Sequence, residues 1–189
     1  MSWYEFLLLG HIIAAIIWLG AGFLLMLVIF GARGRGDRDA ELAEQQGLEY
    51  LTPRLFIPAS LSTLLFGLLL VIDSDFWSFD QLWVTIGLTG WLVSFVLGFF
   101  YFRPEGERIG SLVGDRGPTD PEVDRRLFNV TVVDRVQVLI LFTVVADMVL
   151  KPTGDDEGLL IAGAVLIAAA LVAAVLAIRG RGAAERPAV

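Results

Sequence analysis

Apolar residues in this chain fall into five long blocks, at about 4–31, 55–72, 82–102, 128–150 and 159–178. Each block comes close to or exceeds the ~18 residues that read as a helix crossing a bilayer. Polar and turn-forming residues gather between them. Segment 32–54, ARGRGDRDAELAEQQGLEYLTPR, is polar, and its middle, Asp37 to Tyr50, predicts a short amphipathic helix. DSDFWSFD predicts a short loop with aromatic rings at interfacial depth, and KPTGDDEG a tight connection. Segment 103–127 reads as a Gly/Pro-rich polar loop. Pro58 stands near the start of the second block, where a missing N–H is tolerated. The last residues, RGRGAAERPAV, are expected to fray. The pattern predicts an all-α fold: one membrane domain over 1–189, a bundle of five transmembrane helices.

Composition agrees with that pattern. The chain is 56% hydrophobic with a mean hydropathy of +0.72, against about 45–50% apolar for a soluble domain. The first block is too long for a cleaved signal and follows no basic segment, so it is expected to remain as a span. Charge placement then sets orientation. Segments 32–54, 103–127 and 179–189 hold twelve arginines, whereas the opposite side holds only Lys151. The positive-inside rule puts those segments, including loops 32–54 and 103–127, in the cytoplasm, with the N-terminus outside and the C-terminus inside. The expected location is a cell membrane, as a multi-pass protein of a bacterial inner membrane, with the lipid bilayer as its surroundings.

Small residues supply packing signals. Gly90, Ser94 and Gly98 recur every four residues in the third block, and Ser60, Thr63 and Gly67 line one face of the second. Ala162, Gly163, Ala170 and Ala174 mark the fifth. Such stripes let helices approach closely.

Ionisable groups at membrane depth are costly and face a bundle interior or water. The single histidine, His11, shares a helical face with Ala14, Ala15, Trp18 and Gly22, while Ile13, Ile16, Ile17 and Leu24 suit lipid. Small residues beside an imidazole leave room for a close helix or for a flat cofactor. Imidazole is a common metal ligand and an axial ligand of haem iron; a packed histidine bonded to a neighbouring carbonyl or hydroxyl is the structural alternative. Asp147 near the end of the fourth block could reach water, or accept from His11 Nδ1 and orient that ring. Asp134 and Arg135 are adjacent and cannot face each other on a helix. Each is expected to pair with another helix or to snorkel, and the Arg135 fork suits a propionate or a lipid phosphate.

Other chemistry is poorly provided for. There is no cysteine, which removes thiolate sites and disulfides. One histidine and three scattered methionines make no zinc site or copper relay. No phosphate loop or nucleophile elbow is visible, and a net charge of −7 points away from nucleic acid. The balance leans away from an enzyme.

His11, Trp18 and Gly20, in the order H-x6-W-x-G within the first span, resemble a signature shared by several small bacterial membrane families. These include HemJ-type protoporphyrinogen oxidases, CopD-type copper resistance proteins and the uncharacterised integral membrane family called domain of unknown function 2269, which the chain resembles most. MVLKP, closing the fourth span, is similar to the way those proteins close theirs, and the likeness covers roughly residues 3 to 152. The fifth span looks like an addition. The resemblance to the HemJ group implies haem b ligated by His11, the only position that inherits such a role. With haem there, the residues themselves would set Trp18 on the macrocycle and the Arg135 fork on a propionate. Any enzyme would then be a haem-dependent membrane oxidoreductase. The chain departs from that group after Trp18, where GFLLMLVIFGAR replaces the R-L-F-x-Y-H continuation. Alternatives are a membrane-embedded structural or assembly partner without cofactor, which could pair with another membrane protein or with its own copy, and copper handling.

Overall fold

Ser2 starts the first helix. Its side chain accepts from the Glu5 amide at 3.2 Å while Glu5 accepts from the Ser2 amide at 2.7 Å, a reciprocal cap that satisfies two orphan donors. From there α1 runs Trp3–Gly34. The computed structural model describes residues 1–184, and every regular element among them is helical. The expected fraying of the chain end falls partly on 185–189, outside the described residues; up to Ala184 the chain is helix.

Gly36, at φ +69, reverses the chain, and the Asp37 carboxylate accepts from the Ala40 amide to open α2, Arg38–Leu51. This is the amphipathic helix read from the sequence. It is not a separate surface element, however. A π turn at Thr52–Phe56 joins it without a break to α3, Ile57–Ile72. The next pair repeats the design: α4, Leu82–Leu97, continues through a π turn at Gly98–Phe102 into α5, Arg103–Arg116. Each π turn ends two residues before a proline, Pro58 and Pro104. A proline inside a helix lacks the N–H and presses on the carbonyl four residues back. Those carbonyls belong to Arg54 and Phe100, inside the two π turns, and the wider turn makes room for the ring.

Segment 103–127, read as a loop, is therefore mostly helix. Its glycines and proline gave a loop composition, but Ile109, Leu112 and Val113 form an apolar stripe at helical spacing. Gly117, at φ +89, ends α5. Asp120 then caps α6, Pro121–Leu150, with Pro121 in the first turn, so α6 begins seven residues before the apolar block. Lys151, at φ +47, closes α6, and α7 spans Glu157–Ala184.

The chain thus folds as two long antiparallel hairpins, α1 with α2–α3 and α4–α5 with α6. Phe66 of α3 lies over Gly10 of α1, and Phe56 approaches Gly22. In the second hairpin Met148 sits on Gly87 and Val144 on Gly90. Helix α7 packs on α6, where the Thr143 methyl approaches Gly163; its apolar stretch has no buried residue. Of the packing stripe expected on α7, Gly163, Ala170 and Ala174 are half-buried and Ala162 is exposed. On α4 the groove is Gly87, Gly90 and Ser94, one turn away from the expected set, with Gly98 open.

Each arm is roughly 45–52 Å long at 1.5 Å per residue, against a hydrocarbon thickness of about 30 Å. At the arginine-rich end α2, α5 and the start of α6 enclose a core of Leu42, Ile109, Val123, Leu127 and Val130. By length and composition four helices can cross a membrane: Trp3–Gly34, Thr52–Ile72, Leu82–Arg116 and Glu157–Arg181. Ile13, Ile16, Ile17 and Leu24 all lie on the outside, in an apolar shell suited to lipid.

Candidate functional site

The helical period of α1 sorts its residues as the sequence implies. Ala14 is buried and His11, Ala15, Trp18 and Gly22 are half-buried on one face, while the isoleucines face out. Helix α3 covers that inner face. His11 Nδ1 donates to the Thr63 carbonyl at 2.9 Å, and the imidazole lies so close to Gly67 that a Cβ there would stand 3.0 Å from the ring. Thr63 turns its own hydroxyl back to the Ala59 carbonyl. The bond fixes the proton on Nδ1 and leaves Nε2 with a lone pair, the arrangement in which a histidine binds metal or simply joins helices.

Asp147 does not orient that ring. It faces Gly87 across the α4–α6 seam, 6% exposed, and neither carboxylate oxygen has a hydrogen-bond partner. Beyond the two helices, Lys151 donates to the Met148 carbonyl at 3.0 Å and sits about 5 Å from the rings of Trp77 and Trp83, which meet edge to face. The Trp77 indole donates to the Tyr4 hydroxyl. Another interhelical bond, Trp91 Nε1 to the Ser60 carbonyl and hydroxyl, ties α4 to α3.

Arg135 is exposed and its guanidinium lies 4.6 Å from the centre of the Phe30 ring. Phe30 is nineteen residues beyond His11 on α1, about 28 Å along the axis. Arg135 therefore belongs to the opposite end of the bundle and cannot meet a macrocycle centred on His11. Asp134 is half-buried, without a hydrogen bond or ion pair among the described residues, so the pairing expected for it is not formed. Trp18 stands about 10 Å from His11 along the same face.

The arginine-rich end is organised by two carboxylates that the sequence did not single out. Asp124 of α6 accepts from Arg33 of α1 at 3.3 Å, and from Arg38 of α2 and Arg181 of α7. Buried Glu41 accepts from Arg33 at 2.6 Å and Arg38 at 2.9 Å. The guanidiniums of Arg33 and Arg181 both lie against the ring of Phe128. A second network joins α5 to α6: Glu105 with Arg108 and Arg126, and Glu122 with Arg125 and Arg126. The hydrogen bond from Arg125 holds the Glu122 carboxyl below its ordinary value, with both arginine charges adding to the effect. A groove of about 690 Å³ opens on this face, lined by Arg108, Arg116 and Arg126 among others; His11, Trp18 and Arg135 are not part of it.

Apolar helices of membrane-crossing length, joined inside by side-chain hydrogen bonds, define an α-helical membrane bundle as the class of this protein. Beyond that class, the chain matches no protein-family model, no curated protein and no solved structure.

Proposed function

We propose that the chain is a five-span protein of a cell membrane, with α1, α3, α4, α6 and α7 as the spans, the N-terminus outside and the arginine-rich end in the cytoplasm. We further propose that it serves as a membrane-embedded structural or assembly partner and carries out no catalysis itself. One observation carries this reading: α3 runs along the small-residue face of α1, the natural bed for a flat cofactor, with Gly67 against the His11 ring and Phe56 approaching Gly22. The orientation rests on the arginine distribution, and α6 joins the spans because it is long enough and lies between α4 and α7.

A second reading has its own support. The Nδ1–H···O=C bond from His11 to Thr63 presents Nε2 as a free donor atom, which suits the iron of haem b. Bound there, haem would supply redox chemistry, with Trp18 on the same face and Arg135 left to a lipid phosphate. Copper handling finds no group of three or more His, Cys, Asp or Glu among the described residues.

Purification of the full chain in mild detergent separates the two main readings. The structural reading expects a colourless protein after haem supplementation, eluting with a stoichiometric membrane partner or a second copy. A Soret band that His11→Ala abolishes would overturn it in favour of haem.

A further inference from the structure

We propose that Asp147 is a proton-binding site in the seam between α4 and α6, loaded from the aqueous phase at the N-terminal end of the bundle. The proposal rests on enclosure without partners. Asp147 is 6% exposed, and both its carboxylate oxygens are sealed from solvent and unbonded. A Cβ added to Gly87 would stand 3.7 Å from Oδ2, so the carboxyl lies against the barest stretch of α4. Stripping a carboxylate of water without a counter-charge or hydrogen bond costs far more than binding a proton.

Among the described residues no ion pair or hydrogen bond reaches the carboxylate to change that balance. Helix α4 has no ionisable residue from Leu82 to Leu97. Helix α7 offers Glu157 at its start and no further charge before Arg179. On α1, His11 spends Nδ1 on Thr63, Glu5 caps its own helix, and Tyr4 accepts from Trp77. The α3–α4 loop adds the carboxylates Asp73, Asp75 and Asp80, of the wrong sign. Among the described residues, the cationic side chain at this end is Lys151, a single turn beyond Asp147. Its amide bonds the Asp147 carbonyl at 2.8 Å, yet its ammonium is held by the Met148 carbonyl and the two tryptophans. One carboxylate cannot coordinate a metal alone, so the ligand this site takes is the proton.

Asp147 lies three residues from the end of α6, about 4.5 Å along the axis, close enough for exchange through small openings of the seam. Loss of the proton would place a bare charge against Gly87. The available relief is a swing of the Lys151 ammonium back over the end of α6, which empties the tryptophan corner. Proton occupancy at Asp147 and the position of Lys151 are therefore linked.

Infrared spectroscopy of the full chain in lipid vesicles, wild type against Asp147→Asn, tests this. The expected result is a carboxylic-acid carbonyl band at mildly acid pH, above the range in which an ordinary aspartate keeps its proton, that Asp147→Asn removes and that fades as pH rises, together with a shift in tryptophan emission. Absence of any Asp147-dependent acid band at mildly acid pH would overturn the proposal. So would a band that persists into alkali in the folded protein. If Asp147→Asn does not fold, melting of Asp134→Asn decides, because that variant lacks the other unpaired carboxyl of α6: its stability must fall as pH rises above the ordinary carboxylate range, and a flat profile there overturns the proposal. These readouts do not depend on haem or on a partner, so they fail separately from the functional reading above.

Discussion

At Gly90 the absence of a side chain decides how close α4 comes to α6. A Cβ there would overlap a methyl of Val144, whose branched side chain has little rotamer freedom. At Gly87 the obstacle is the terminal methyl of Met148, which can swing away. Gly90→Ala is therefore expected to cost about 1–3 kcal/mol and Gly87→Ala distinctly less, measured by thermal unfolding in detergent. The His11 bond to Thr63 is smaller in scale. Interhelical hydrogen bonds in membranes average about 0.6 kcal/mol, because the unfolded helices find other partners, so His11→Phe should lower stability by about that amount. A loss of several kcal/mol would show that the imidazole does more than join two helices. Much of the α1 face was legible beforehand, since burial there follows the 3.6-residue period. The partner of His11 was not: it is a backbone carbonyl fifty-two residues away, which no side-chain pattern announces. Gly87 escaped notice for a related reason, as its role depends on what α6 places opposite it.

Among the elements, α5 shows how composition can mislead. RPEGERIGSLVGDR has the glycine and proline of a loop, but Pro104 falls where the π turn accepts it, and Ile109 enters a core with Leu42, Val123, Leu127 and Val130. Ile109 is 2% exposed, and Ile109→Ala should cost about 2–5 kcal/mol. The loss should appear as faster hydrogen exchange in α2, α5 and the first turns of α6, with the membrane-depth helices little changed. The α5–α6 ion pairs add a pH dependence of definite sign. Glu122 binds its proton less readily in the folded chain than in the unfolded one, chiefly through the Arg125 hydrogen bond. Its contribution is complete above the ordinary carboxylate range and disappears as pH falls through the lower folded value. Acidification should thus loosen this end first, and Glu122→Gln should flatten that part of the profile in exchange measurements. The start of α6 was within reach of the sequence: Asp120 before Pro121, followed by two acids in the first turn, is a helix N-terminus in its own right. It was obscured because the apolar block begins later.

For the whole molecule, the alternation of apolar blocks marked the membrane-length helices but neither α5 nor the first turns of α6, and the pairing into two hairpins with a shared polar end emerged only from long-range contacts. Asp124 holds α1, α2 and α7 against α6 through three arginines. Asp124→Asn should cost on the order of 1–3 kcal/mol, less at high salt, and release the C-terminal end of α7 to proteolysis. The chain has no cysteine, so orientation can be read from single introduced thiols. Ser2→Cys should react with an impermeant maleimide on intact cells, and Ser111→Cys only after lysis; the reverse pattern would invert the topology. The π turn between α4 and α5 bears on how these two ends coexist. At about 100° per residue, Phe102, Gly106, Ile109 and Val113 would point on average about 90° away from Ser94 on an unbroken α-helix. The extra residue taken up in Gly98–Phe102 turns them back toward the same side. The π turn thus works as a phase corrector, letting one continuous rod keep a single bearing through two environments, lipid and water, whose sequences can then drift independently.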